Sequence, residues 1–308
     1  MRLSARSGQT YIDSVAGDQL TEPVIGILGG SGLYDIEGID EKIWREVETP
    51  WGPPSDALLF GRINGVRCVF LPRHGRGHPL SPTHLNYRAN IDALKRSGVT
   101  DVISLSAVGS LREDLSPGQF VIVDQFIDRS FAREKSFFGA GIVAHVSMAH
   151  PVCSRLGDAL EATCRQLSLP VTRNGVYLVM EGPQFSTKAE SALYRSWGCS
   201  VIGMTNMPEA KLAREAELCY ATVAMVTDFD CWHPDHDHVQ VDAVVKVLLA
   251  NAEHARALVR HVVPEIGRER GLCGNGCDRA LDQAVITAPH RRDPALAARL
   301  AAVAGRVL

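Results

Sequence analysis

No stretch of this 308-residue chain approaches the run of about 20 apolar residues needed to cross a bilayer, so a helical membrane span is not expected. Arg2 and Arg6 stand near the start, but no apolar segment follows them as it would in a secretory signal, and the cytoplasm is the expected compartment. An excess of one charge is also lacking. With 32 Lys and Arg scattered among 35 Asp and Glu, the formal charge of −3 leaves no basic stripe for nucleic acid or an anionic membrane surface. There is no internal repeat, and no linker rich in Pro, Gly or Ser divides the chain beyond residue 22. The glycine-rich turn near residue 30 lacks the Gly-Lys-Ser/Thr of a P-loop. It also fits a dinucleotide turn poorly: from Gly30 the third glycine position falls on Asp35, whose carboxylate would face a pyrophosphate.

Eight cysteines are present, and most stand in segments that read as buried strand or helix, as packed free thiols do. Cys273 and Cys277 enclose Gly-Asn-Gly, a turn able to pair them as a disulfide or as half of a metal site. No second Cys or His pair stands beside them at zinc-finger spacing, so two bystander thiols in a flexible loop are expected.

What is present is an alternation of short β-rich runs with amphipathic stretches. Strands are predicted near 24–29, 57–62, 66–71, 101–106, 119–124, 172–179 and 219–227, and helices near 83–97, 153–168, 187–197, 207–217 and 239–262. The pattern predicts an α/β fold. Asn64-Gly65 between two of the runs signals a hairpin, so the sheet should be mixed. Three parts are expected: a flexible extension over 1–22, one domain over 23–266, and a tail over 267–308 with a terminal helix from about Pro294.

Three strand ends carry anion donors. The first strand runs into Gly29, Gly30, Ser31 and Gly32, a turn of bare amides and one hydroxyl. Another ends in Arg73-His74-Gly75-Arg76-Gly77-His78, where arginine forks suit phosphate oxygens. A third ends in the small, hydroxyl-bearing run Ser104 to Leu111. Asp228 and Asp230 stand two apart after the apolar strand 219–227. Near carboxyls push their pKa values apart, so one can hold a proton to donate while an ionised neighbour accepts. Trp232 to His238 gathers three histidines and two aspartates; a solvated loop or gate is the expected reading, and no metal is assigned.

These segments resemble the methylthioadenosine and purine nucleoside phosphorylases of the trimeric class, and the methylthioadenosine branch most closely. The resemblance is carried by Gly-Gly-Ser-Gly-Leu at 29–33, Arg73-His74-Gly75-Arg76, Asn86 to Ile91, Gly109 to Arg112, Asp124 to Arg129, Glu181 to Ser186, Met204-Thr205 with Pro208-Glu209, and Thr227 to Trp232, over residues 24–266. It implies a single domain with a mixed, distorted barrel-like sheet flanked by helices. It also implies phosphorolysis of a 5′-modified adenosine to adenine and a sugar 1-phosphate, with phosphate as co-substrate, no cofactor and no nucleic-acid or membrane partner.

By the same resemblance Ser31, Arg73, His74, Ser106, Ala107 and Thr205 surround phosphate. Phe185 stacks on the base and Met204 lies under the ribose, while Asp228 and Asp230, supported by Ser186, read the purine edge with Asp228 as the catalytic acid. His145 reaches a neighbouring subunit's site in a homotrimer. Val241, Val244 and Val245, at one-sided helical spacing after the gate, wall the 5′ pocket together with His145. Gly203 departs from the larger polar residue of the animal enzymes. The alternatives are a 6-oxopurine nucleoside phosphorylase, disfavoured by the two aspartates, and, from another class, a nucleotide-binding oxidoreductase using the glycine turn or a catalytically silent nucleoside-binding protein.

Overall fold

The computed structural model describes residues 22–30, 37–234, 241–268 and 273–308. Its strands are β1 Ile25–Gly29, β2 Ile39–Arg45, β3 Leu58–Ile63, β4 Val66–Pro72, β5 Asp101–Ser110, β6 Phe120–Ile122, β7 Gln125–Asp128, β8 Val171–Arg173, β9 Val176–Val179, β10 Val201–Gly203 and β11 Cys219–Asp228. Its α-helices are α1 Tyr87–Arg96, α2 Ser154–Gln166, α3 Lys188–Ser196, α4 Asn206–Glu215, α5 Val241–Arg268, α6 Pro294–Arg299 and α7 Ala301–Ala304.

β4, β1, β5 and β11 lie side by side and parallel, so their carboxyl ends share one edge. These strands are covered on both faces, which explains their near-continuous apolar runs: every residue of β1 and all but the last of β11 are buried. On one face Leu156 and Leu160 of α2 pack with Leu258, Val259 and Val262 of α5. On the other, Ile91 and Leu94 of α1 pack with Leu212 and Ala213 of α4. β3 and β4 form the expected hairpin, with Asn64 at φ 47° and Gly65 at φ 82°, the two positive values that a two-residue type I′ turn requires.

The sheet is mixed and curls into a distorted barrel. β5 pairs with β11 on one side and, over its last residues, antiparallel with β10 on the other. The segment β6–β7 runs beside the segment β8–β9, so that β6 joins β11 while β9 joins β10 and the ring closes around β5. The single strand expected over 172–179 is broken at Asn174, which has φ 67°, and at Gly175, where a Cβ would lie 2.7 Å from Val121. That break turns the ribbon from one arm of the barrel to the other.

α5 continues past Pro264 to Arg268. Residues 273–308 pack onto the body: Leu281, Leu300, Val303 and Ala304 are buried in the cluster that covers α1, and Arg306 pairs with Glu217 at 2.6 Å. Asp293 caps α6 by accepting from the Leu296 N–H at 2.9 Å. One expectation is corrected here. Cys273 and Cys277 are not bystanders in a flexible loop but are buried beside Cys153 and Cys219, which arrive from the start of α2 and the start of β11.

Candidate active site

The shared edge of β4, β1, β5 and β11 gathers the side chains singled out from the sequence. The Arg73 N–H donates to Gly29 O at 2.9 Å, locking the end of β4 to the glycine turn. Ser31, in that turn, lies outside the described residues. The Arg73 side chain is 2% exposed and largely committed. Its Nε donates to Glu209 Oε2 at 2.8 Å, Nη2 to Glu209 Oε1 at 3.1 Å and to Ser104 Oγ at 2.7 Å, and Nη1 to Leu105 O at 2.9 Å. Glu209 also accepts from the Ser104 and Tyr220 hydroxyls at 2.7 and 2.8 Å. Burial alone would raise the Glu209 pKa, but the adjacent guanidinium overrides it and holds the carboxyl below its ordinary value. Of the five guanidinium hydrogens, one on Nη1 is left for a ligand at this edge.

His74 is buried, and its Nδ1 lies 2.8 Å from Leu80 O, an acceptor, so Nδ1 carries the hydrogen and Nε2 is the atom left for a ligand. Burial pushes the imidazole pKa down to about 4, and the neighbouring Arg73 and His78 add to the effect against the Leu80 bond. The ring stacks on His78 at 4.2 Å. A neutral Nε2 accepts from a protonated phosphate oxygen, and a bound dianion favours its protonation.

The Ser106 Oγ lies 2.9 Å from the Tyr177 Oη and 3.3 Å from the Thr205 Oγ1, so three hydroxyls converge beside Ala107 on β5. Gly203 has its explanation in this cluster: a Cβ there would stand 2.0 Å from Tyr177 Oη, and only glycine lets that phenol reach Ser106.

Asp228 sits where β11 shifts register and pairs with Gly109, whose missing Cβ leaves room for the carboxylate; a Cβ would lie 2.9 Å from Asp228 Oδ1. That oxygen accepts from the Asp230 N–H at 2.8 Å. The Thr227 hydroxyl lies 2.7 Å from Asp228 Oδ2 and 3.1 Å from Val108 O. It has one hydrogen, and a carbonyl can only accept. The nearer acceptor is the Asp228 carboxyl oxygen, to which the Thr227 hydroxyl donates. Burial raises the Asp228 pKa against the hydrogen bonds it accepts from Thr227 and the Asp230 N–H.

Asp230, at φ 52°, is buried, and desolvation pushes its carboxyl up to about 6, with Asp228 adding to the rise and the nearby Ser191 and Ser186 hydroxyls opposing it. Ser191 faces Asp230, and its hydroxyl has no well-formed hydrogen bond among the described residues. Gly109, the partner of Asp228, stands three residues from Ser106 on β5, about 10 Å along the strand.

The base and ribose candidates flank this line. Phe185 is 47% exposed, available to stack on a ring. Ser186 is tied to the aspartate loop through its carbonyl, which accepts from Cys231 Sγ at 3.3 Å. Met204 packs on Gly182, where a Cβ would come within 2.5 Å of its sulfur. Sequence reasoning missed the group that fixes this wall. Arg133 is fully buried and donates to Met204 O at 2.6 Å, Met207 O at 2.7 Å, Glu181 O at 2.6 Å and the Tyr87 Oη at 3.0 Å, and it pairs with the Glu181 carboxylate at 3.2 Å. Its partners Tyr87, Glu181 and Met204 stand in the motifs that carry the resemblance, but no motif includes Arg133 itself.

Of the 5′-pocket candidates, His145 and Val245 have side chains among the described residues. His145 is exposed, and its N–H donates to Ala284 O at 2.9 Å, anchoring the loop to the C-terminal segment. Val245 is 44% exposed on α5, while the Val241 and Val244 side chains lie outside the described residues, as do Asp235 to His238 of the histidine run. The start of that run is ordered: Trp232 Nε1 donates to Ser110 O at 2.8 Å, and Arg195 lies 3.5 Å over its ring.

Comparison with known proteins places this geometry. Residues 24–264 match the family model of the phosphorylase superfamily. The chain is 64% identical to the S-methyl-5'-thioadenosine phosphorylase of Cereibacter sphaeroides over 92% of its length and 98% of the relative's. The corresponding protein of Rhodospirillum rubrum is also 64% identical, over 93% and 98%. Among solved structures, a methylthioadenosine phosphorylase from an antarctic soil metagenomic library superimposes with a TM-score of 0.87 at 45% identity, covering 92% of this chain and 99% of that one. The Schistosoma mansoni methylthioadenosine phosphorylase in complex with adenine gives 0.77 at 40% identity, over 80% and 93%. The barrel-like α/β sheet and the strand edge it presents are thus those of nucleoside phosphorylases, and the chain belongs to the phosphorylase superfamily and, within it, to the S-methyl-5'-thioadenosine phosphorylases.

Proposed function

We propose that the chain catalyses phosphorolysis of 5′-deoxy-5′-methylthioadenosine, giving adenine and 5-methylthioribose 1-phosphate. The observation that carries this reading is the pair of a half-buried Asp228 and a buried Asp230 at the end of β11, one strand from the Ser106 and Thr205 hydroxyls at the edge of β5. In the reaction the bond from C1′ to N9 breaks, its electron pair leaves with the purine, and a phosphate oxygen bonds to C1′. Phosphate is held by the Ser106 and Thr205 hydroxyls, His74 Nε2, the remaining Arg73 donor, the amide of Ala107 and Ser31 of the glycine turn. Asp228 donates its proton to N7 as negative charge builds on the base, while Asp230 accepts from the 6-amino group. Phe185 and Met204 hold base and ribose in line with the phosphate, which converts a two-body encounter into a positioned displacement.

The test is incubation with methylthioadenosine, adenosine or inosine, each with and without phosphate, and chromatography of the free base. Adenine is expected only with phosphate; adenine without it would mean a hydrolase. An apolar 5′ pocket walled by Val241, Val244 and Val245 should favour methylthioadenosine over adenosine by about 10–200-fold in kcat/KM. Equal use of the two would remove that pocket assignment. The question is pointed, because the Schistosoma mansoni relative is described as an adenosine/methylthioadenosine phosphorylase. Inosine should be rejected by about 10⁴-fold, since its 6-oxo group turns a lone pair toward a carboxylate.

The proposal extends to a homotrimer, with His145 of one protomer completing the 5′ pocket of the next. The exposed His145 and the exposed Phe131, 82% accessible, are available to meet a neighbouring protomer. Sedimentation should return a mass of about three chains, and a fully active monomer would contradict the shared site.

A further inference from the structure

Half of the cysteines converge at the far end of β11. Cys219 opens that strand and Asp228 closes it, which sets the two about 30 Å apart. Cys153 immediately precedes α2, and Cys273 and Cys277 belong to the segment after α5. All four are buried, and their Sγ atoms lie within 4.8 Å of one another, with Cys153 to Cys273 at 3.4 Å and Cys273 to Cys277 at 3.2 Å. The turn between the last two is ordered: the Gly276 N–H donates to Cys273 O at 2.8 Å, and Gly276 takes φ 59°. Asn275 Nδ2 fastens the turn to Val152 O at 2.8 Å, beside Cys153.

We infer that Cys153, Cys219, Cys273 and Cys277 form a closed structural site for one thiophilic divalent cation, with Zn²⁺ the ion their chemistry fits. Four thiolates around Zn²⁺, with bonds of about 2.3 Å, stand about 3.8 Å from one another in a tetrahedron. That value lies within the observed spread of 3.2 to 4.8 Å. A disulfide needs about 2.05 Å, and sulfurs bound to different irons of a cluster stand farther apart. Binding releases the four thiol protons to solvent and leaves a centre with two net negative charges.

The surroundings answer that charge. Arg214 is 7% exposed and forms no ion pair with a carboxylate among the described residues; its Nη1 points at Cys277 Sγ at 3.2 Å, and its other donors meet the carbonyls of Ser147 and Asn275. The buried Arg155 Nε has no oxygen or nitrogen acceptor among the described residues, and its guanidinium, paired with Asp101, lies against Cys219 and Cys153. A buried Arg214 facing a neutral thiol would be costly, whereas the same cation facing a thiolate is compensated; Arg155 is already balanced by Asp101. The ion would tie the segment from Cys273 onward to the first turn of α2 and the start of β11.

The experiment uses the full chain purified without a metal-affinity tag or chelator, in reducing buffer, with metal content measured by plasma mass spectrometry. About one zinc per chain is expected, falling to about a tenth in Cys277→Ser and staying near one in Cys164→Ser, which alters a thiol outside the cluster. Should Cys277→Ser fail to fold, Co²⁺ loading of the wild-type chain decides instead, through the intense visible bands of tetrahedral thiolate coordination. A chain that takes up neither ion while showing all eight thiols reactive on unfolding overturns the inference in favour of packed thiols. A metal-free chain with fewer reactive thiols until reductant is added overturns it in favour of disulfides.

Discussion

Replacing Asp228 with Asn should lower kcat/KM for methylthioadenosine by about 10²–10⁴-fold, the range for losing one positioned general acid. The amide keeps the shape of the carboxyl and can still accept from the Asp230 N–H, which Asp228 now meets at 2.8 Å, so the fold should be little disturbed. What it loses is a transferable proton. The wild-type pH profile should show the same proton. Asp228 is shifted upward by burial, and Asp230 is pushed up to about 6, so the pair keeps a proton above the ordinary carboxylate range and loses it as pH rises. The charge of Asp228 adds to the rise at Asp230, so the profile reports the two carboxyls together. The expected result is a fall in kcat/KM on the alkaline side of that titration, and a flattened limb in the Asn variant. Adenine release by the variant at the wild-type rate would remove Asp228 from proton transfer. A lost rate with an unchanged alkaline limb would leave it a positioning role only.

How far the sequence displays this site depends on how local each signal is. The Asn64-Gly65 hairpin and the buried run of β11 could be read directly, because a turn type and an apolar strand each depend on a few adjacent residues. β2 could not, since six of its seven residues are exposed and it is a strand only because β3 pairs with it. β10, three residues long, is recruited by β5 and β9 and has no periodicity of its own. The anion donors were legible as types at strand ends, but what each donor already holds was not. Glu209 is separated from Arg73 by 136 positions, and nothing nearby announces that they pair. The four thiols show the same limit: a search for neighbouring pairs stops at Cys273 and Cys277, whereas the fold supplies Cys153 from 120 positions away.

The Arg73–Glu209 pair carries the other large expected effect, and it separates scaffold from ligand contact. Both side chains are essentially buried, and the pair has a two-point geometry, with 2.8 and 3.1 Å contacts, closed by Ser104 and Tyr220. Arg73→Ala leaves the Glu209 carboxylate buried without its counter-charge, a change that typically costs about 3–5 kcal/mol. The melting temperature should then fall on the order of 5–10 °C. Loss of activity in this variant would not by itself show that Arg73 touches phosphate. The discriminating measurement is the rise in melting temperature produced by phosphate, compared between variant and wild type, because a ligand stabilises only to the extent that it binds the folded state. If the remaining Nη1 hydrogen and the positive charge serve phosphate, that rise should shrink in Arg73→Ala. An undiminished rise in a destabilised variant would make Arg73 a strut that holds β4 to β5 and α4, with His74, Ser106 and Thr205 binding the anion without it. A variant as stable as the wild type would instead mean that Glu209 takes up a proton at little cost, and the charge balance drawn for this edge would have to be redrawn around a neutral Glu209.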